Sequence, residues 1–280
     1  MHPAVNRAVE QAHRHGVLTT ASLMMGAPAT KEAVEIARAL RSLHVGLHLM
    51  VADGWASAPP HEIPSISDVH GVMDARVIAR SFRFLRPNVI RQLRSELRAQ
   101  FAAFSRTGLE LDHVNVHKHL HMHPVVFSVV LEELRAHGRP PLRIPWEPPW
   151  VALIGKEKRS PMGPMLLNAW AQLTRRIARR AGVFCNDQVF GLSHSGDVNQ
   201  DVVLRFVARL PDGTSELYMH PADSAEPVHP SMAGYRPLEE LRALLSTEVR
   251  RAIYLSGAAL GGYRQHSNSR PKIGRALPMR

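Results

Sequence analysis

Five imidazoles fall within the eleven residues His113–His123 of the run Asp112-His-Val-Asn-Val-His-Lys-His-Leu-His-Met-His-Pro124, at His113, His117, His119, His121 and His123. Imidazole binds divalent metals and moves protons near neutral pH, so this density points to metal or proton chemistry. The five share one parity with Asn115, and continued strand geometry would crowd them all onto one face. The spacing therefore predicts a strand that ends near His117, with the later histidines in a turn before a helix opened by Pro124. Two other strands finish in the same way. His44-Val-Gly-Leu-His-Leu-Met-Val51 carries His48 on the face opposite its apolar odd positions, and Glu216-Leu-Tyr-Met-His220-Pro221 ends in histidine at a proline turn.

In parallel α/β barrels the strand C-termini line the active site, so His48, His117 and His220 are expected to converge on a single pocket. Two imidazoles do not saturate a catalytic metal, which takes a third protein ligand, often a carboxylate, and keeps a position for water. Asp112, Asp187 and Asp223 are candidates by position, and none of them has the strand-end setting of the histidines. One divalent ion is expected, Zn²⁺ ahead of Mg²⁺ because imidazole is a softer ligand than oxygen.

The elements that must position these groups alternate along the chain. Helices are expected at Pro3–His15, Lys31–Leu43, Pro87–Thr107, Val125–His137, Val202–Arg209 and Pro237–Ser246. Strands are expected at Val17–Met24, His44–Val51, Leu109–His117, Leu142–Ile144, around Phe184, and at Ser215–His220. Such alternation is the signature of parallel α/β architecture. The Pro-, Ser- and Gly-rich stretch from Ala52 to Val72 is too long for an ordinary connection and is expected to face substrate. A second irregular zone spans Pro145–Pro164. One domain over residues 1–262 and a basic, disordered tail over 263–280 complete the expectation.

Composition narrows the function classes. The single Cys185 excludes a disulfide scaffold and a thiolate zinc cage. No apolar run reaches the ~18 residues of a membrane span, and the N-terminal residues lack a signal peptide's apolar core, so the expected compartment is cytoplasmic. A balance of 35 basic against 24 acidic residues, +11, suggests an anionic surface, nucleic acid or membrane. Aromatics are only 6% and are not interleaved with the basic residues, so nucleic acid is not expected. Leu166, Trp170, Leu173 and Ile177 form one helical stripe, with Arg175 and Arg179 opposite and Arg176 and Arg180 flanking it. Two readings stand: a core-facing helix with a solvated basic back, or a basic amphipathic helix lying on an anionic inner-membrane surface. A basic non-catalytic binding protein is the alternative to an enzyme.

Val45-Gly-Leu-His-Leu49, the Asp112 to His121 string and Tyr218-Met-His-Pro-Ala222 resemble, in order and spacing, the motifs of YdjC-like carbohydrate deacetylases. His113-Val-Asn-Val-His-Lys-His, Asn186-Asp-Gln-Val-Phe-Gly-Leu192 and Gly234-Tyr235 are most similar to the hopanoid-biosynthesis branch of that family, called HpnK. The resemblance covers the chain to about Gly262. It implies a distorted (β/α) barrel that hydrolyses the acetamide of an N-acetylated amino sugar, here an N-acetylglucosaminyl hopanoid glycolipid, with one divalent metal. It implies that His48 and His117 hold the metal and that His220 is an imidazolium acid near the leaving amine. His119, His121, Arg143 and Asp187 are assigned to the substrate side. The family's first strand, ending in Asp-Asp-Phe-Gly, supplies a metal ligand and a base before the helix that corresponds to Pro3–His15, and the sequence given starts beyond it. Two expectations follow: a start upstream of Met1, or a truncated and inactive paralogue.

Overall fold

The computed structural model describes residues 1–75, 81–154 and 162–269. In chain order the main elements are α1 (Pro3–His15), β1 (Thr20–Leu23), α2 (Thr30–Ala39), β2 (His44–Leu49), α3 (Pro87–Arg106), β3 (Leu111–Val116), α4 (Pro124–Ala136), α5 (Met162–Arg180), β4 (Gln188–Phe190), α6 (Gln200–Val207), β5 (Ser215–Leu217), α7 (Pro237–Leu245), α8 (Thr247–Leu255) and α9 (Tyr263–Ser269). Proline opens α1, α3, α4 and α7, where its missing N–H would have no helical partner and its fixed φ already suits the first turn. Gly108 and Gly138, with φ of 72° and 80°, end α3 and α4 in the left-handed conformation that glycine adopts without steric cost.

The strands β1, β2 and β3 pair in that order, all parallel. Register sets Ser22 beside Gly46 and His48 beside Asn115, so the polar residues of three strands share one face. The strands expected at Leu142–Ile144 and around Phe184 contract to single parallel bridges, Val114 to Leu142 and Leu142 to Cys185. Pro140, Pro141 and Pro145 flank the first of these and remove ladder donors. Beyond Cys185, β4 pairs with β5. Among the described residues no pairing joins β5 back to β1, so the sheet is open and the expected barrel is not closed. The outer edges of β1 and β5 instead face one cavity, whose wall includes Thr20–Ser22 and Ser215–Leu217.

The apolar faces of β2 and β3 bury Leu47, Leu49, Val114 and Val116 against Leu93, Leu97, Phe101 and Phe104 of α3 and Val126, Val130 and Leu134 of α4. A second cluster joins Ala8 and Ala12 of α1 to Phe190, Phe206, Leu244 and Ile253. Cys185 is a buried core residue, and burial pushes its thiol up to about 12.

Two expectations need correction. The tail set at residue 263 begins instead as α9: Tyr263 is buried and its backbone N–H donates to Asp112 over 3.0 Å. Residues 270–280 lie outside the described residues. In α5 the buried seam is Ala171, Thr174 and Ala178, while Leu173 and Ile177 are 44% and 37% exposed. Small side chains let this helix approach its neighbours closely, and a search for large apolar residues overlooks such a seam. The side chain of Leu166 lies outside the described residues. Trp170 anchors the helix through its indole N–H, which donates to the Met122 carbonyl over 2.7 Å. Arg175 and Arg179 are not simply solvated: they donate to the Asp187 and Cys185 carbonyls. Among the described residues no helix is long and apolar enough to cross a membrane.

Candidate active site

A cavity of about 970 Å³ opens inside the sheet. One wall is polar, with Ser22, His48, Asn115, His117, His119, Arg143 and His220. The other is apolar, with Val5, Phe190, Val203, Phe206 and Leu244.

His48 is the last-but-one residue of β2, and His117 follows β3 directly. His48 Nε2 and His117 Nδ1 lie 3.3 Å apart. Two ring nitrogens bound tetrahedrally to one ion at about 2.0–2.1 Å are held roughly 3.3–3.4 Å apart. The pair therefore fits a shared divalent cation, and two imidazoles suit Zn²⁺. Among the described residues no group of three His, Cys, Asp or Glu side chains comes together to hold one.

After His117 the chain turns sharply. Lys118 and His119 take φ of 50° and 54°, left-handed values that cost about 1 kcal/mol for residues with a Cβ. The turn brings Lys118 Nζ within 2.5 Å of Asp53 and leaves His117 Nε2 3.8 Å from the same carboxylate. Burial works against the Asp53 charge, but Lys118 outweighs it and holds the carboxyl below its ordinary range. His119 lines the cavity beside Tyr218, with ring centroids 5.6 Å apart.

Arg143 is buried at 3% exposure, with its guanidinium donating to Glu216 over 2.9 Å and lying 4.8 Å from the Tyr218 ring centre. The Tyr263 hydroxyl donates to the other Glu216 oxygen. His220 packs edge-on to Tyr218 at 4.5 Å and near Tyr235 at 5.2 Å. Burial, followed by the positive neighbours Arg143 and His117, pushes His220 down to about 3. These surroundings favour its neutral imidazole. Burial likewise drives His48 and His119 well below the usual histidine value and His117 to about 4.

With the histidine pair, the proline-turn histidine and the parallel sheet in place, comparison with known proteins decides the family. The sequence profile of YdjC-like proteins matches residues 1–254. The chain belongs to the YdjC-like family. It is similar to a carbohydrate deacetylase of Brevibacillus brevis, 36% identical over 142 residues that make up 51% of this chain and 54% of that protein. The chain thus spans about half the length of the first curated relatives it matches. A chitooligosaccharide deacetylase of Proteus mirabilis is 24% identical over 270 residues, covering 92% of this chain and 91% of the relative. A solved structure from Enterococcus faecalis, provisionally described as a cellobiose-phosphate cleavage protein, superposes with a TM-score of 0.71 at 22% identity, covering 94% of this chain and 93% of that one. That likeness concerns the fold.

This YdjC-like chain does not bring every expected residue to the cavity. His121 is fully buried, donates from Nε2 to the Arg143 carbonyl over 3.0 Å and does not line the wall, so its assignment to the substrate side is corrected. Asp187 holds Arg179 at 2.8 Å and accepts the Thr214 N–H at 2.9 Å, fixing the approach to β5 rather than facing substrate. Asp112 sits at the opposite end of β3 from His117 and accepts from Tyr263 and Arg264. Asp223 accepts from Arg7 and Gln11 on α1. None of these three aspartates reaches the histidine pair.

Sequence reasoning missed Asp53, which carries no motif within its irregular loop, and three buried glutamates beneath the site. Glu96 of α3 accepts the N–H groups of Ser57 and Ala58 at 2.8 and 2.9 Å. Glu147 accepts those of Gly191, Leu192 and Ser193 at 2.9, 2.8 and 2.9 Å. Glu240 of α7 accepts those of Val198 at 3.1 Å and of His220. Helical periodicity alone would mark Glu96 and Glu240 as inward-facing polar residues, Glu147 lies outside any helix, and nothing in the sequence indicates which loop each one reaches.

Proposed function

We propose that this protein is a metal-dependent deacetylase that hydrolyses the acetamide of an N-acetylated amino sugar, its substrate an N-acetylglucosaminyl hopanoid glycolipid. The observation that carries the reading is the 3.3 Å approach of His48 Nε2 to His117 Nδ1 on a cavity wall that also holds His220. The names of the Brevibacillus and Proteus relatives support the reaction class. The partly exposed apolar residues Val5, Leu18, Leu217 and Met219 of the lining support an apolar aglycone.

In the reaction water adds its oxygen to the amide carbon, the C–N bond breaks, and acetate and a free amine result. His48 and His117 would hold a divalent ion, which when bound would supply positive charge for activating water and steadying the amide oxygen. His220, neutral at rest, takes up a proton as water attacks and passes it to the departing nitrogen. Arg143, fixed by Glu216, keeps the cavity positive and favours the anionic stage of the reaction. Tyr218 and His119 offer ring edges and nitrogens to the sugar.

The test is acetate release from N-acetylglucosaminyl lipid and from chitooligosaccharide, with metal content measured on the same preparations. His48→Ala and His117→Ala should lose the ion. His220→Ala should retain it and lower kcat by roughly 10²–10⁴. No acetate from either substrate by metal-loaded protein refutes the reading and leaves a non-catalytic binding role.

A further inference from the structure

Four side chains lead away from His48 in an unbroken line. Asp112 Oδ2 lies 2.8 Å from His113 Nδ1, and His113 Nε2 lies 3.0 Å from Ser22 Oγ. Ser22 Oγ accepts from Asn115 Nδ2 at 2.7 Å, and Asn115 Oδ1 meets His48 Nδ1 in a short hydrogen bond. Asn115 Nδ2 also lies 3.4 Å from His113 Nε2, which favours a lone pair on that nitrogen, and with a single proton on the His113 ring one assignment of protons satisfies every link. The Asp112 carboxylate accepts, so His113 donates from Nδ1 and its Nε2 carries a lone pair. Ser22 then donates to His113 and accepts from the Asn115 amide, which orients that amide with its oxygen toward His48. His48 must donate from Nδ1, leaving the Nε2 lone pair aimed at His117.

We propose that Asp112, His113, Ser22 and Asn115 form a one-directional relay that locks His48 in its Nδ1–H tautomer and so presets Nε2 as an electron-pair donor. Asn115 is a positioning residue, and the three behind it hold Asn115. The inference rests on the reading of His48 and His117 as a metal-facing pair, and a histidine ligand is commonly oriented through its other nitrogen in this way.

The backbone is built around this line. Asn115 stands beside His48 in the β2–β3 register, and Ser22 stands beside Gly46. A Cβ on Gly46 would come within 2.4 Å of the His113 ring, so only glycine at that position leaves room for the imidazole. The order Asp112, His113, Ser22 is also that of an acyl-transfer triad. In this protein Ser22 Oγ also accepts from the Asn115 amide at 2.7 Å, which ties the hydroxyl into the line toward His48 and favours the relay.

The test reads the tautomer directly, on the full chain, first without metal. Long-range ¹⁵N–¹H correlation of the histidine rings should show His48 as Nδ1–H in the wild type. Asn115→Ala should mix the tautomers and weaken Zn²⁺ binding, measured by chelator competition, by about 10–100-fold. Ser22→Ala, a change at an exposed cavity position, should move both readouts in the same direction by less, and it serves if Asn115→Ala does not fold. An Nε2–H His48 in the wild type, or an unchanged tautomer in the folded variants, overturns the relay. Covalent labelling of Ser22 by a fluorophosphonate also overturns it, in favour of a nucleophile. Wild type that shows the Nδ1–H tautomer but binds no Zn²⁺ leaves the relay standing and removes the metal reading instead.

Discussion

Replacing His121 with glutamine separates a structural histidine from those assigned to the proposed reaction. His121 is fully buried, and burial, together with the Arg143 charge, pushes it down to about 3. The unfolded chain holds it near its ordinary 6.5. Because the folded value is depressed, the folded state resists protonation: the stability is fully present above pH 6.5 and is lost as pH falls toward 3. At pH 5.0 the unfolded chain binds nearly one proton that the folded chain refuses, over about 1.5 units. At about 1.36 kcal/mol per unit, this single residue costs the fold about 2 kcal/mol between pH 7.5 and 5.0. Against a typical total of about 5–15 kcal/mol that is a large fraction. Glutamine can still donate to the Arg143 carbonyl and does not titrate. Urea unfolding in the presence of chelator, followed by circular dichroism at both pH values, should therefore show the His121→Gln protein losing about 2 kcal/mol less than the wild type. The other buried histidines contribute equally to both proteins and cancel in the difference. Equal losses in the two proteins would refute the argument that His121 is held neutral by burial.

Glu240 should behave with the opposite sign, since burial raises it to about 7 from 4.5. Its stabilising contribution is full below pH 4.5 and is lost as pH rises through 7, about 3 kcal/mol in all, and Glu240→Gln should flatten that segment of the stability profile. Gly46→Ala forces a methyl group against the His113 ring and should cost roughly 1–3 kcal/mol by urea unfolding. With Arg175 and Arg179 engaged by backbone carbonyls, the exposed Arg176 and Arg180 are the charge that α5 offers a membrane. The protein should sediment with anionic vesicles at low salt and release by about 0.15 M, where the Debye length is about 8 Å, and a failure to bind even at low salt removes the membrane from the account.

The parts of this molecule that were legible from sequence are those governed by local chemistry. Proline at the first turn of four helices and glycine after α3 and α4 placed those boundaries to within a few residues. Parity along β2 and β3 identified the faces that carry His48 and Asn115. What was not legible depends on distant partners. Nothing near Asp187 in sequence announces Arg179 or Thr214 as its partners, and nothing near His121 announces the Arg143 carbonyl. Asp53 gains its place only because two left-handed residues after His117 turn Lys118 onto it. The same distinction explains α5, where close approach selects Ala171 and Ala178 over larger neighbours, and the short strands, which prolines truncate below the length that alternation suggests.

The three buried glutamates each seat a stretch of irregular chain, and those held by Glu147 and Glu240 reach the cavity at Leu192 and His220. Each holds its loop by backbone N–H groups, which every residue except proline possesses, from a carboxylate rooted outside the loop. The hydrogen bonds that seat the loops at Ser57 and Leu192 therefore do not depend on the side chains there, whereas Val198 is also held by burial of its side chain in the second cluster. Under the proposed function, substitutions at the rim would alter which substrate is admitted while the histidines beneath keep their spacing. A lineage of such proteins could change diet by rewriting loop residues one at a time, with folding and chemistry sheltered from each trial.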